Sequence, residues 1–94
     1  METFRIAGDD KHLYFKNLEK KSGQEEFRKV MDVLTCNECQ IINRISGPDC
    51  TLFQCKLGDY RFAVCDASID GDGTFLCVED EQTMIFLEEL FSEV

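Results

Sequence analysis

From Gln40 onward the apolar residues recur at every second position, in three runs joined by links too short to carry a crossover. "QIINRIS", "CTLFQCKL" and "YRFAVCD" are separated only by "GPD" (Gly47, Pro48, Asp49) and "GD" (Gly58, Asp59). A parallel connection needs a dozen or more residues, so these strands must be antiparallel neighbours. Gly and Pro punctuate the runs by freeing or fixing φ. "TFLCVE" supplies one more strand, and the inward-facing set reads as Ile41, Ile45, Phe53, Cys55, Leu57, Phe62 and Val64.

The remainder of the chain fits around that meander. "TFRIA" and "HLYFKNL" alternate on either side of Gly8–Lys11 and predict a hairpin from Thr3 to about Asn17. "SGQEEFRKVMDVLTC" has the Ser22/Glu25 signature of a capping box and apolar residues at Phe27, Val30, Met31 and Leu34, the spacing of one helix face. Asp80 is placed to cap a terminal helix whose inward stripe is Met84, Leu87, Leu90, Phe91 and Val94. The expected architecture is α+β, one domain over 1–94, in the order ββαββββα, with an antiparallel sheet and two helices packed on one face. A chain of 94 residues has no room for a second core.

Charge excludes several partner classes. Residues 1–61 hold ten acidic and ten basic side chains, whereas residues 62–94 hold nine acids and no Lys or Arg, which accounts for the net charge of −9. Nucleic-acid and anionic-membrane surfaces call for the opposite sign. The beginning "METFRIAGDD" lacks the basic-then-apolar pattern of a secretory leader, and no segment is long enough to span a bilayer; a cytoplasmic location follows as the expectation. In that compartment the six cysteines are expected as thiols. Cys36 and Cys39 form the only close pair and raise a zinc or redox role; Cys50 and Cys55 cannot complete a zinc site because their odd spacing puts them on opposite faces of a strand.

"SIDGDGTFLCVE", residues 68–79, follows the spacing of a calcium loop: Asp70 and Asp72 at its third and fifth positions, Gly73 at the sixth, Thr74 at the seventh, Phe75 at the eighth and Glu79 at the twelfth. Over these twelve residues it resembles the calcium loop of the calmodulin family. The resemblance implies Asp70, Asp72, Thr74 and Glu79 as ligands to calcium, with Ser68 as a weak first ligand. An Asp-Gly hairpin turn explains the same residues. The preceding "KLGDYRFAVCDA" reads as a strand where the calcium loop has its entering helix, so weak calcium binding or none is expected, and otherwise no cofactor.

Catalytic constellations are sparse. His12 is the single histidine, and no phosphate loop, dinucleotide fingerprint or nucleophile elbow occurs, so the chain reads as a non-enzymatic protein. The terminal helix carries more apolar residues than one face can bury. Ile85 and Phe86 widen its stripe and Glu88, Glu89 and Glu93 border it, the anatomy of a surface for a protein partner, a basic one or a second copy. In size and charge the chain is similar to small acidic inhibitors and immunity proteins that neutralise basic toxins.

Overall fold

A computed structural model describes residues 1–16, 22–67 and 73–94 of the chain. They form six strands and two helices: β1 (Thr3–Phe4), β2 (His12–Phe15), α1 (Gly23–Cys36), β3 (Gln40–Ser46), β4 (Thr51–Leu57), β5 (Tyr60–Ala67), β6 (Gly73–Cys77) and α2 (Glu81–Ser92). The order is the expected one, and the strands make a single antiparallel sheet, β1-β2-β6-β5-β4-β3. The meander from β3 to β6 pairs each strand with the next, and β2 closes on β6. α1 therefore carries the chain from the β1-β2 side of the sheet to its far edge.

Local chemistry explains the boundaries. Ser22 Oγ accepts the Glu25 N–H at 3.2 Å, and Asp80 Oδ1 accepts the Thr83 N–H at 2.7 Å. Each cap satisfies an amide that the first helical turn leaves without a partner. Between β4 and β5 the link is Gly58-Asp59 alone; Gly58 has φ of 62°, the left-handed first position of a two-residue hairpin turn. β1 is shorter than the alternation predicted. Arg5 leaves the sheet and pairs with Glu81 at 2.9 Å and with Glu88, fastening the β1-β2 connection to α2.

Both helices cover one face of the sheet. Val30 and Leu34 of α1 and Met84, Leu87 and Phe91 of α2 are fully buried against Leu13, Phe15, Phe62, Val64 and Leu76. The Phe15 and Phe91 rings meet edge to face, 4.9 Å between centroids. Two expected core residues lie outside the core, one of them through a β-bulge. Ile41 pairs with Cys55 but Asn43 with Gln54, so Ile42 is an extra residue and the alternation beyond it slips by one. Ile45 consequently lies on the opposite face, paired with Leu52. Ile41 keeps the helix side yet is 53% exposed, because neither helix buries it. Val94, expected inside, is exposed as well, beyond the end of α2.

One buried polar contact fixes α1 to the sheet. Glu26, on the sheet-facing side of α1, accepts the Thr74 N–H on Oε1 at 2.8 Å. Gly73, with φ of +80°, makes room for it: a Cβ there would stand 2.7 Å from Glu26 Oε1. Glu26→Ala would strand the Thr74 amide and is expected to cost about 1–3 kcal/mol. Gly73→Ala is expected to cost a similar amount, ~1–2 kcal/mol from backbone strain plus the clash. Because the clash disappears with the carboxylate, the double variant should lose clearly less than the two single losses added. Denaturant unfolding of the four proteins measures this, and additivity within about 0.5 kcal/mol would show that the residues are uncoupled.

Candidate functional site: the helix-free face of the sheet

Residues paired across neighbouring strands lie on the same side of a sheet, so the register defines what the uncovered face presents. Phe4 pairs with Tyr14, Tyr14 with Phe75, Phe75 with Cys65, Cys65 with Leu52, and Leu52 with Ile45. This row crosses all six strands without a polar interruption save the Tyr14 hydroxyl. Five inter-strand spacings give it a length of about 24 Å. Its β1 end is aromatic, with ring centroids 5.4 Å apart for Phe4 and Tyr14 and 5.5 Å for Tyr14 and Phe75. The other half is thiol and aliphatic. Phe4 is 38% exposed and Ile45 49% exposed, so both ends are open to solvent, whereas Cys65 at the centre is 3% exposed.

The adjoining row is His12, Cys77, Ala63, Gln54 and Asn43. The small Ala63 floors a depression of about 430 Å³, walled by Ile42, Leu52, Gln54, Arg61, Cys77 and Glu79. His12 Nδ1 lies 2.8 Å from Asp9 Oδ2 and 3.0 Å from Oδ1, and its ring meets Phe75 edge to face at 5.7 Å. The Lys11 amide and His12 together hold the Asp9 carboxyl below its usual range. Cys77 faces His12 across the β2-β6 pair. Burial first, and the Asp9 charge second, push the Cys77 thiol up, the reverse of what an activated nucleophile needs. Burial likewise raises the Tyr14 phenol.

No described strand residue on this face is an Asp or Glu: the rows add only Lys56, Arg61 and Gln40 at one end and Ala67 and Gly73 at the other. In a chain of net charge −9 that is a marked segregation. Six of the nine acids beyond residue 61, Glu79 to Glu81 and Glu88, Glu89 and Glu93, belong to α2 and its approaches.

The residues expected on α2 do not gather into one patch. Ile85 is 46% exposed, but Phe86 turns toward the sheet, its ring stacked on Tyr60 at 4.1 Å and 8°. Glu88 is engaged by Arg5, while Glu89 and Glu93 are exposed. Of the calcium-loop set, Asp70 and Asp72 lie outside the described residues. Thr74 is a buried strand residue whose amide is held by Glu26. Glu79 is exposed beyond β6, and its carbonyl accepts from Lys11 Nζ at 2.5 Å. The extended backbone between Thr74 and Glu79 separates them by roughly 16 Å, so one ion cannot take both, as the calcium-loop pattern requires. Among the described residues, no three His, Cys, Asp or Glu side chains converge as metal ligands. Of the close pair, Cys36 is exposed at the end of α1, whereas Cys39 packs against the core on the helix side of the sheet and its thiol donates to the Gln40 carbonyl at 3.9 Å.

The chain matches no protein-family model, and no curated protein or solved structure is significantly similar to it. A signal for the uncovered face does exist in the sequence. "HLYF", "FAVC" and "TFLC" are apolar at both parities, the pattern of strands covered on both sides.

The geometry generates a definite expectation for calcium. With Thr74 and Glu79 held apart, calcium at micromolar free concentration should leave the melting temperature unchanged in wild type and in Glu79→Gln. Stabilisation of wild type that is lost in Glu79→Gln would show that the loop closes on the ion.

Proposed function

We propose that this chain is a non-enzymatic, cytoplasmic protein-binding module whose contact surface is the helix-free face of its sheet, and that the surface is covered by a second copy of the chain. The apolar row from Phe4 to Ile45 carries the reading. An antiparallel sheet with one covered face ordinarily turns polar side chains outward on the other, and the central row of this face does not. An apolar centre depleted of charge is the composition of an interface core.

Charge placement favours a second copy. Two such faces, packed about 10 Å apart as sheets pack, would bring no strand carboxylate against another. The α2 acids of both protomers would point away from the contact. A footprint roughly 24 Å long and three rows wide is on the order of the ~800 Å² per partner of a standard interface. A second reading has its own support: the exposed Glu89 and Glu93 on the helix side suit a basic partner of the kind that acidic inhibitors and immunity-like proteins neutralise. The two contacts use opposite sides of the sheet and are compatible.

Sedimentation separates the outcomes. Wild type should be a dimer, and added salt should tighten it, since salt screens the repulsion between two chains of net charge −9. Ile45→Glu and Phe4→Glu, at exposed ends of the row, should weaken association at least tenfold while circular dichroism and melting stay native. A wild-type monomer throughout the micromolar range, or dimerisation indifferent to both substitutions, would refute the proposal.

A further inference from the structure

The apolar row of the helix-free face changes character half-way along. On β1, β2 and β6 it is aromatic, with Phe4, Tyr14 and Phe75, and on β5, β4 and β3 it is smaller, with Cys65, Leu52 and Ile45. The boundary lies between β6 and β5, at the middle of the six strands.

Charge divides at the same boundary. At the end of the face where β5 begins, Lys56 of β4 and Arg61 of β5 are cross-strand partners and supply two cations. The other half of that end carries acids. Asp9 lies ahead of β2 with its carboxylate 2.8 Å from His12 Nδ1, and Glu79, two residues past Cys77, lines the depression together with Arg61. Ala63 pairs with Cys77, so continuing that register sets Arg61 opposite Glu79 across β5 and β6. The ion pairs among the described residues are Arg5 with Glu81 and Glu88, His12 with Asp9, and Lys16 with Glu2; Lys56, Arg61 and Glu79 enter none of them.

We infer that the second copy sits on a two-fold axis parallel to the strands, over the boundary between β5 and β6, and that Arg61 of each protomer meets the partner's Glu79. This rests on the face-to-face dimer and fixes its orientation. Rotation about that axis reverses the order of the strands and keeps the level along them, so β6 lies over the partner's β5, β2 over its β4 and β1 over its β3. Every aromatic residue of the row then meets a smaller one: Phe75 the partner's Cys65, Tyr14 the partner's Leu52, and Phe4 the partner's Ile45. Large against small fills the ~10 Å between packed sheets evenly.

At the charged end the same rotation lays Arg61 over the partner's Glu79 and Lys56 over the strand that follows the partner's Asp9. Because Arg61 and Glu79 are neighbours within each chain as well, four charges alternate in sign around the axis. The other two-fold that a sheet face allows runs along the row, across the strands. It would lay Phe75 on Phe75 and Cys65 on Cys65, too thick beside too thin, and would carry Arg61 away from the partner's Glu79. Exposed ion pairs add little affinity, so these select the orientation and leave the net repulsion between two acidic chains to govern the response to salt.

The test is a charge exchange on the whole chain, read by sedimentation at low salt. Arg61→Glu and Glu79→Lys each place like charges together in both symmetric contacts, and each homodimer should be roughly tenfold weaker than wild type. Both positions are exposed, so circular dichroism should stay native. Glu79→Lys is the more telling variant, because it makes the chain less acidic and would tighten any dimer in which Glu79 met no cation. An equal mixture of the two variants should regain at least wild-type affinity, since each reversed charge then faces its opposite while the total charge of the pair equals that of wild type. A wild-type monomer would remove the dimer and this orientation with it. A wild-type dimer in which Glu79→Lys associates as tightly as wild type or more so, or in which mixing restores nothing, would overturn the orientation alone and leave the face-to-face contact standing.

Discussion

The carboxylate of Glu26, 8% exposed between α1 and the sheet, decides how the two layers of this molecule fit. A buried charge is costly unless its hydrogen-bonding capacity is used, and here the Thr74 amide uses it. The bond also places the first residues of β6, the strand through which the β1-β2 hairpin joins the meander. Shift α1 by one turn and the carboxylate loses its donor. The hydroxyl of Thr74, by contrast, is buried with no partner among the described residues, so polar satisfaction at this joint rests on the amide.

Much of the fold was legible because it depends on short-range physics. Short links between alternating runs imposed the meander, and Ser22 and Asp80 marked both helix starts through their own hydrogen bonds. Ile45 was misplaced for a reason that alternation cannot reveal, since a single bulged residue, Ile42, inverts the parity of everything after it. Phe86 was assigned to the surface because its partner, Tyr60, lies 26 positions away across the molecule. Glu88 lost its freedom to Arg5 in the same manner, through a contact 83 positions distant.

The uncovered face was written in the sequence but hidden by the assumption that one parity of each strand meets water. Tyr14, Phe75, Cys65 and Leu52 are each unremarkable alone. Only the register lines them up, and only with the register known does the absence of Asp and Glu from the described strand positions on that side become visible. Charge segregation in this chain is therefore a property of the sheet, produced by two-residue periodicity acting on an acidic sequence.

The bulge at Ile42 has a further effect. All seven residues of β3 are exposed, and its outer edge offers backbone donors and acceptors to any extended chain that approaches. Ile41, Ile42 and Ile45 make that edge sticky as well as open. A straight strand of this composition would be a template for fibrillar growth, in which sheets join edge to edge without limit. The inserted residue spoils the repeat that an incoming strand must match, and Arg44, its guanidinium 5.7 Å above the Phe53 ring, keeps a charge at the same border. The same residue that turns Ile45 toward the apolar row also guards the edge against endless polymerisation.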